Sequence, residues 1–94
     1  MVTRNDDKGR YEIFVGDEVG GYAEYRERGD EVVFTHTEVD DAFAGQGLGS
    51  KLAKGAIEDV VSRGRTIVPL CPFIGSYLRK HPEHGAYVRW PDGA

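Results

Sequence analysis

The stretch Gly45-Gln46-Gly47-Leu48-Gly49-Ser50-Lys51-Leu52 organises the rest of the chain, because small residues there lead directly into a helical pattern. A helix leaves the N–H groups of its first turn without intrahelical partners, and its macrodipole places partial positive charge at that end. Glycines, which lack a Cβ, would let an anion approach those N–H groups closely. The stretch therefore favours a phosphate-binding turn, and the alternative reading is a flexible loop that precedes a helix.

Two well-known phosphate-binding loops do not fit this stretch. A Walker A loop ends in Gly-Lys followed by Ser or Thr, whereas Gly49 is followed by Ser50 and Lys51 in the reverse order. A dinucleotide-binding fingerprint needs a third glycine three positions after the second, and Ser50 stands in that place. Both loops are excluded by these spacings.

Alternating apolar and polar side chains predict strands over residues 10–15, 19–28 and 31–39. Glycine-containing turns separate the three runs, so they should form an antiparallel meander. The third run is the strongest, since it is rich in β-branched and aromatic side chains. Regular alternation would divide it into two faces, Val32, Phe34, His36 and Glu38 on one and Val33, Thr35, Thr37 and Val39 on the other.

Apolar residues at three- and four-residue spacings predict a helix over residues 48–63, which Gly64 would end. A further strand is expected over 65–70. A short helix should follow over 73–80, with Pro72 at a tolerated first position.

A strand, a helix and a strand in this short a span imply a right-handed crossover, which makes strands 31–39 and 65–70 a parallel pair. We therefore expect an α/β fold: a mixed, mostly antiparallel sheet with one parallel pair around a β–α–β unit, and two main helices. Gly55, inside the first helix, indicates close packing on the sheet. Residues 1–9 are polar and are expected to be a flexible lead-in, and residues 86–90 to be a small edge strand or a packed lid.

The composition is that of a soluble globular protein, with 39% hydrophobic and 30% charged residues in 94, a length that predicts one domain over residues 1–94. A net charge of −4 argues against nucleic-acid binding, which needs a basic face. Neither a membrane span nor a signal peptide is evident, so we expect a cytoplasmic protein with no membrane partner. A single cysteine excludes an internal disulfide and agrees with a reducing compartment.

Cys71 lies between the end of the last predicted strand and the start of the short helix. If Pro72 is the first helical residue, Cys71 is the N-cap, where the helix dipole favours the nucleophilic thiolate. Ligands on open α/β sheets bind beyond the carboxyl ends of the strands, where both Cys71 and the glycine turn should emerge. The alternative is a small buried hydrophobic residue.

Four segments together resemble the small single-domain proteins of the GNAT acetyltransferase superfamily, over about the last two-thirds of the chain. They are His36-Thr37-Glu38-Val39, the glycine turn, Val68-Pro69-Leu70-Cys71-Pro72-Phe73, and Tyr77 with His81-Pro82-Glu83. In that superfamily an Arg/Gln-x-x-Gly-x-Gly/Ala turn grips the pyrophosphate of coenzyme A. Ala44 stands where Arg or Gln is usual, so the resemblance implies a backbone cradle there.

The resemblance implies a GNAT-like fold and an N-acetyltransferase that uses acetyl-CoA and no metal, with an amine-bearing small molecule or peptide as acceptor. It implies Glu38 as the base, Cys71 as a candidate acetyl carrier, and Tyr77 as the group that protonates the departing thiolate. The coenzyme A residues it implies are Thr37, Val39, Gly45, Gln46, Gly47, Leu48, Gly49, Ser50, Pro72 and Phe73.

Simpler structural roles are the alternatives to the proposed catalytic ones. Glu38 could be a surface charge, His36 a structural histidine rather than a second proton carrier, and Tyr77 a packed aromatic. His81 and His84 with Cys71 lack zinc-site spacing, so no metal site is expected. For the whole protein the alternatives are a non-catalytic module that binds or senses coenzyme A or acyl-CoA, and a nucleotide- or polyphosphate-binding module.

Overall fold

One five-stranded sheet forms the centre of the fold in a computed structural model that describes residues 2–43 and 45–91. The strands lie side by side in sequence order: β1 Val2–Asn5, β2 Arg10–Val15, β3 Glu18–Arg28, β4 Glu31–Val39 and β5 Thr66–Pro69. The first four are antiparallel, and β5 is parallel to β4. The predicted mixed sheet and its parallel pair are therefore confirmed.

The two predicted helices are α1, Leu48–Ser62, and α2, Pro72–Lys80. A short 3-10 turn, Asp41–Phe43, precedes α1, and another, Pro82–Tyr87, follows α2. Helix α1 ends before Gly64, which has the positive φ of 70° that favours glycine. No helix within the described ranges combines the length and apolar content that a membrane crossing needs.

The core lies between one face of the sheet and the two helices. Its fully buried side chains come from both layers, and they include Tyr11, Phe34, Leu52, Ile57, Ile67 and Ile74. Gly55 brings α1 close to β1, because a Cβ at that position would lie 2.7 Å from Cβ of Val2. The close packing that the sequence predicted at Gly55 is thus confirmed.

The expectation of a flexible lead-in over residues 1–9 is wrong for Val2–Asn5, which forms β1 and pairs with β2. Its alternate residues Val2 and Arg4 face α1, where Arg4 donates a hydrogen bond to Asp59 at 3.1 Å. Arg4 is thus charged because it pairs with α1. The polar composition of residues 1–9 therefore did not indicate a strand. In the tail, a single parallel bridge joins Val88 to Ile67, and Val88 and Trp90 pack against the core, so the second of the two predicted alternatives, a packed segment, describes the tail better than an edge strand.

The predicted division of β4 into two faces is also wrong beyond Phe34. Glu24 pairs with His36 and Tyr25 with Phe34, so Thr35 is an extra residue, a β-bulge. The extra residue reverses the alternation that follows it. The helix face of β4 therefore carries Val32, Phe34, Thr37 and Val39, and the helix-free face carries Val33, His36 and Glu38.

Candidate functional site

The parallel strands β4 and β5 stop pairing at Phe34 and Pro69, and the chain of β5 turns away beyond that point. The Phe34 carbonyl accepts hydrogen bonds from the N–H groups of both Leu70, at 3.0 Å, and Cys71, at 2.9 Å. The edge of β4 from residue 35 to residue 39 therefore borders an opening rather than a neighbouring strand. Such an edge offers backbone N–H and C=O groups to a ligand that carries amides.

Cys71 closes the inner end of this opening. It is the N-cap of α2, as predicted, and it is 4% exposed. Its thiol donates to the hydroxyl of Thr37 on β4, with 3.3 Å between Sγ and Oγ1. The thiol thus bridges the two diverging strands instead of capping the helix.

Helix α1 begins with an open backbone turn. Gly45 and Gly47 have φ of 84° and 69°, and a Cβ on either would meet no atom within 4 Å. The first helical bond is from Lys51 N–H to the Gly47 carbonyl, so the N–H groups of residues 48–50 have no acceptor within the helix. The first turn of α1 carries no acidic side chain and Gly47 no side-chain cap. Gln46 and Ser50 are exposed beside it.

Phe73 links this turn to Cys71. A Cβ on Gly49 would lie 2.7 Å from Cζ of the Phe73 ring, so the ring lies directly against the first turn of α1. The ring is still 41% exposed, and Pro72 before it is also exposed. The structure therefore brings the glycine turn, Phe73, Cys71 and Thr37 into one contiguous region. Ala44 lies outside the described residues.

Glu38 lies on the opposite, helix-free face of the sheet. Its carboxylate accepts a hydrogen bond from the hydroxyl of Tyr22 on β3, at 2.6 Å, and its other oxygen lies 3.9 Å from Nε2 of His36. The side chain is 61% exposed. Glu38 therefore lies on the face that the helices do not cover, across the sheet from the region that holds Cys71, Phe73 and the glycine turn.

A cavity of about 570 Å³ opens on Glu38 and on the ends of β3 and β4. Its lining combines two glycines with polar and charged side chains: Arg10, Val19, Gly20, Gly21, Tyr22, Glu38, Val39, Asp40 and Asp41. Its size is within the usual range for small-molecule sites. Val39 also packs against the core, so the cavity and the opening beside β5 share the end of β4.

Tyr77 has no described hydrogen bond to Cys71. It lies six residues further along α2, about 9 Å at the helical rise, and its ring stacks on His81 with 4.1 Å between centroids. Burial, then the carboxylates of Glu58 and Glu83, raise the pKa of Tyr77, so its phenol stays protonated at neutral pH. It can serve as a proton donor, but the structure does not bring it into contact with Cys71.

Two residues at the site were missed by the sequence analysis. Tyr22 holds Glu38, and Arg10 lies over the Tyr22 ring at 4.5 Å from its centroid. The alternating pattern of residues 19–28 did place Tyr22 in a predicted strand. Its pairing with Glu38 depends on the register and on the bulge at Thr35, which that pattern does not reveal.

Two sequence comparisons and one structural comparison relate the chain to known proteins. The sequence model of the GCN5-related N-acetyl-transferase family matches residues 10–88. The protein NATD1 of Xenopus tropicalis is 40% identical over 47 residues, which are 50% of this chain and 43% of that protein, and human NATD1 is 38% identical over 47 residues, 50% of this chain and 42% of that protein. The chain matches less than half the length of these curated relatives.

The fold itself is similar to the solution structure of a GCN5-like protein from Staphylococcus aureus. The two superpose with a TM-score of 0.72 over 99% of this chain and 91% of that one. Their sequences are 22% identical, so this likeness concerns the fold alone.

Proposed function

Since the chain belongs to the family of GCN5-related N-acetyl-transferases, we propose that it transfers an acetyl group from acetyl-CoA to an amine. The observation that carries the proposal is the opening between β4 and β5, with the uncapped first turn of α1 beside it and Glu38 behind it. The anionic end and the amide-bearing arm of acetyl-CoA are thereby each offered a matching surface, and Glu38 supplies a base for the amine. We propose that residues 1–94 supply this site as one domain.

The first turn of α1 is proposed to hold the pyrophosphate. Gly45 and Gly47 expose their backbone without a Cβ, Gln46, Leu48 and Gly49 continue the turn, and Ser50 adds a hydroxyl. Free N–H groups and the positive end of the helix dipole favour a phosphate at this place. The fit is supported by the empty space around both positive-φ glycines.

The edge of β4 from Thr37 to Val39 is proposed to pair with the amide-bearing arm of coenzyme A. Pro72 and Phe73 would cover that arm from the other side, since the Phe73 ring already lies against Gly49. Acetyl-CoA supplies the activated thioester. Thr37 and Cys71 are hydrogen-bonded to each other at the inner end of the opening. The thioester end of acetyl-CoA is proposed to lie beside them.

Direct attack by the acceptor amine is the route we propose. Glu38 accepts the proton that the acceptor ammonium gives up, and Tyr77 is the proposed donor to the leaving thiolate. The nitrogen gains a bond to the acetyl carbon as the bond from that carbon to sulfur breaks. The second proton that the nitrogen then loses passes to solvent water, from which Tyr77 is reprotonated. Glu38 suits this role because it is exposed beside a cavity large enough for a small amine.

Transfer through Cys71 is the second candidate route, favoured by its position at the N-cap of α2. It would require the thiol to leave its hydrogen bond to Thr37 and to become accessible from a position that is 4% exposed. Replacing Cys71 by Ala separates the routes, because direct attack predicts that kcat changes by less than about three-fold. A loss of two orders of magnitude or more with acetyl-CoA binding intact would establish the acetyl-cysteine route instead.

The test of the proposed function begins with calorimetry of acetyl-CoA binding, followed by turnover with a panel of amines and short peptides. We expect saturable one-to-one binding, and turnover that falls about 100-fold or more in Glu38→Gln while acetyl-CoA binding is unchanged. Binding without turnover of any acceptor would instead favour a coenzyme A sensing module. Equal competition by simple polyphosphates would favour a phosphate-binding module, and no binding at millimolar acetyl-CoA would refute the proposal.

A further inference from the structure

A chain of polar contacts crosses three strands on the helix-free face of the sheet and ends on Glu38. Tyr22 on β3 donates its hydroxyl to Glu38 on β4 at 2.6 Å. Arg10 on β2 lies over the Tyr22 ring, 4.5 Å from its centroid. The Arg10 guanidinium is in turn bonded to Glu12, with 2.8 Å from Nε to Oε2. These contacts lie on the side of the sheet away from α1 and α2.

The contacts become more buried with distance from Glu38. The Glu38 side chain is 61% exposed, whereas Glu12 is 6% exposed and also accepts a hydrogen bond from Asn5. A buried carboxylate is held in place by its partners, because leaving it unpaired would cost several kcal/mol. Glu12 therefore fixes Arg10, and Arg10 restricts the ring of Tyr22 by stacking on it.

An exposed glutamate on a strand samples several rotamers, whereas a base must be held within a few tenths of an ångström of its working position. The Tyr22 hydroxyl removes most of that freedom by binding Oε2. The other oxygen, Oε1, accepts no hydrogen bond from a described residue and lies 3.9 Å from Nε2 of His36. The carboxylate is thus oriented and still has one oxygen available.

We propose that Tyr22 is a positioning residue of the acetyl-transfer site, which holds Glu38 with one oxygen free for the acceptor, and that Arg10 and Glu12 hold Tyr22 in turn. This role rests on the proposed function. Tyr22 does not exchange protons with substrate. It acts on the rate only through Glu38.

A double-mutant cycle tests the proposal. Tyr22→Phe keeps the ring under Arg10 and removes only the hydroxyl, so we expect kcat to fall about ten-fold with the acetyl-CoA dissociation constant unchanged. In the Glu38→Gln background the same change should alter kcat by less than about two-fold, since the base is already absent. Tyr87→Phe is the matched control, on an exposed tyrosine of the last 3-10 turn, and should leave kcat unchanged.

A second measurement reports the contact without turnover. The hydrogen bond to Glu38, followed by burial, raises the pKa of Tyr22. Tyrosine ring-carbon NMR should therefore show Tyr22 ionising above its ordinary pKa in the wild-type protein, and at lower pH in Glu38→Gln. The proposal is overturned if Glu38→Gln leaves this titration unchanged, or if Tyr22→Phe has no effect on kcat or lowers it equally in both backgrounds.

The two readouts separate the failure of this proposal from the failure of the proposed function. If the wild-type protein has no acetyl-transfer activity, the proposed function fails and the positioning role fails with it, even if Tyr22 titrates as expected. If the wild-type protein is active and responds to Glu38→Gln, but Tyr22→Phe is as active as wild type, only the positioning role is lost.

Discussion

Replacing Gly47 by Ala should weaken acetyl-CoA binding more than it weakens the fold. Gly47 is the N-cap of α1 and has φ of 69° and ψ of 23°, in the left-handed region. An L-residue there costs about 1 kcal/mol of folding free energy. The added methyl group meets no atom within 4 Å, so the free protein suffers no clash. The stability cost is therefore strain alone.

The binding cost comes from the same methyl group, because it would occupy the space through which a phosphate reaches the N–H groups of the first turn. Losing one charge-assisted hydrogen bond is worth about 1.5 to 3 kcal/mol. Since 1.4 kcal/mol is ten-fold in affinity, we expect the dissociation constant for acetyl-CoA to rise about 10- to 100-fold.

Gly29 offers a matched control for this change. It has φ of 59°, a Cβ there would also meet no atom within 4 Å, and it lies in the turn between β3 and β4, outside the proposed cradle. Gly29→Ala should therefore cost about the same 1 kcal/mol of stability and leave binding unchanged. Urea denaturation measures the first quantity and calorimetry with acetyl-CoA the second. The reasoning is refuted if both variants lose affinity equally, or if Gly47→Ala binds as tightly as wild type.

Two further predictions concern stability. Burial, and then the hydrogen bond from its hydroxyl to Asp59, raise the pKa of Tyr11 to about 12, whereas a tyrosine in an unfolded chain has a pKa of about 10. Protonated Tyr11 therefore contributes about 2 to 3 kcal/mol to the free energy of unfolding. This contribution is complete below pH 10 and is lost as the pH rises through 12. Urea denaturation between pH 9 and 12 should show a steeper fall for wild type than for Tyr11→Phe, and parallel curves would contradict this. Gly55→Ala should destabilise the protein by about 1 kcal/mol, because overpacking against Val2, 2.7 Å away, outweighs the gain in helix propensity. A gain in stability in the same assay would show that β1 packs more loosely on α1.

Most of the fold could be predicted from local patterns. The spacing of Leu48, Leu52 and Ala56 defined α1, and Pro72 marked the start of α2. These signals are short-range, so they survive without knowledge of tertiary contacts. Strand β1 could not be found in this way, since Arg4 is polar in sequence and only its contact with Asp59 on α1 explains why it faces a helix.

The candidate site shows the same difference between features that local patterns predict and features that depend on long-range contacts. The glycine turn and Cys71 could be placed together, because both follow the carboxyl ends of parallel strands. The partner of Glu38 could not, since Tyr22 reaches it only through the pairing register of β3 and β4. The separation of Tyr77 from Cys71, by contrast, is local, because Cys71 is the N-cap of α2 and Tyr77 lies six residues further along it.

The bulge at Thr35 divides β4 into two segments, and the alternation of side chains starts again after it. In the first segment Phe34 faces the core, and in the second Thr37 takes that side while Glu38 points away. A substitution at position 35 changes one side chain. Pairing Thr35 regularly with β3 would remove the bulge and turn Glu38 toward the helices and Thr37 toward the open face, whereas deleting Thr35 would leave both side chains on their present faces. The choice of which residue stays unpaired along this strand is therefore part of the information that builds the site.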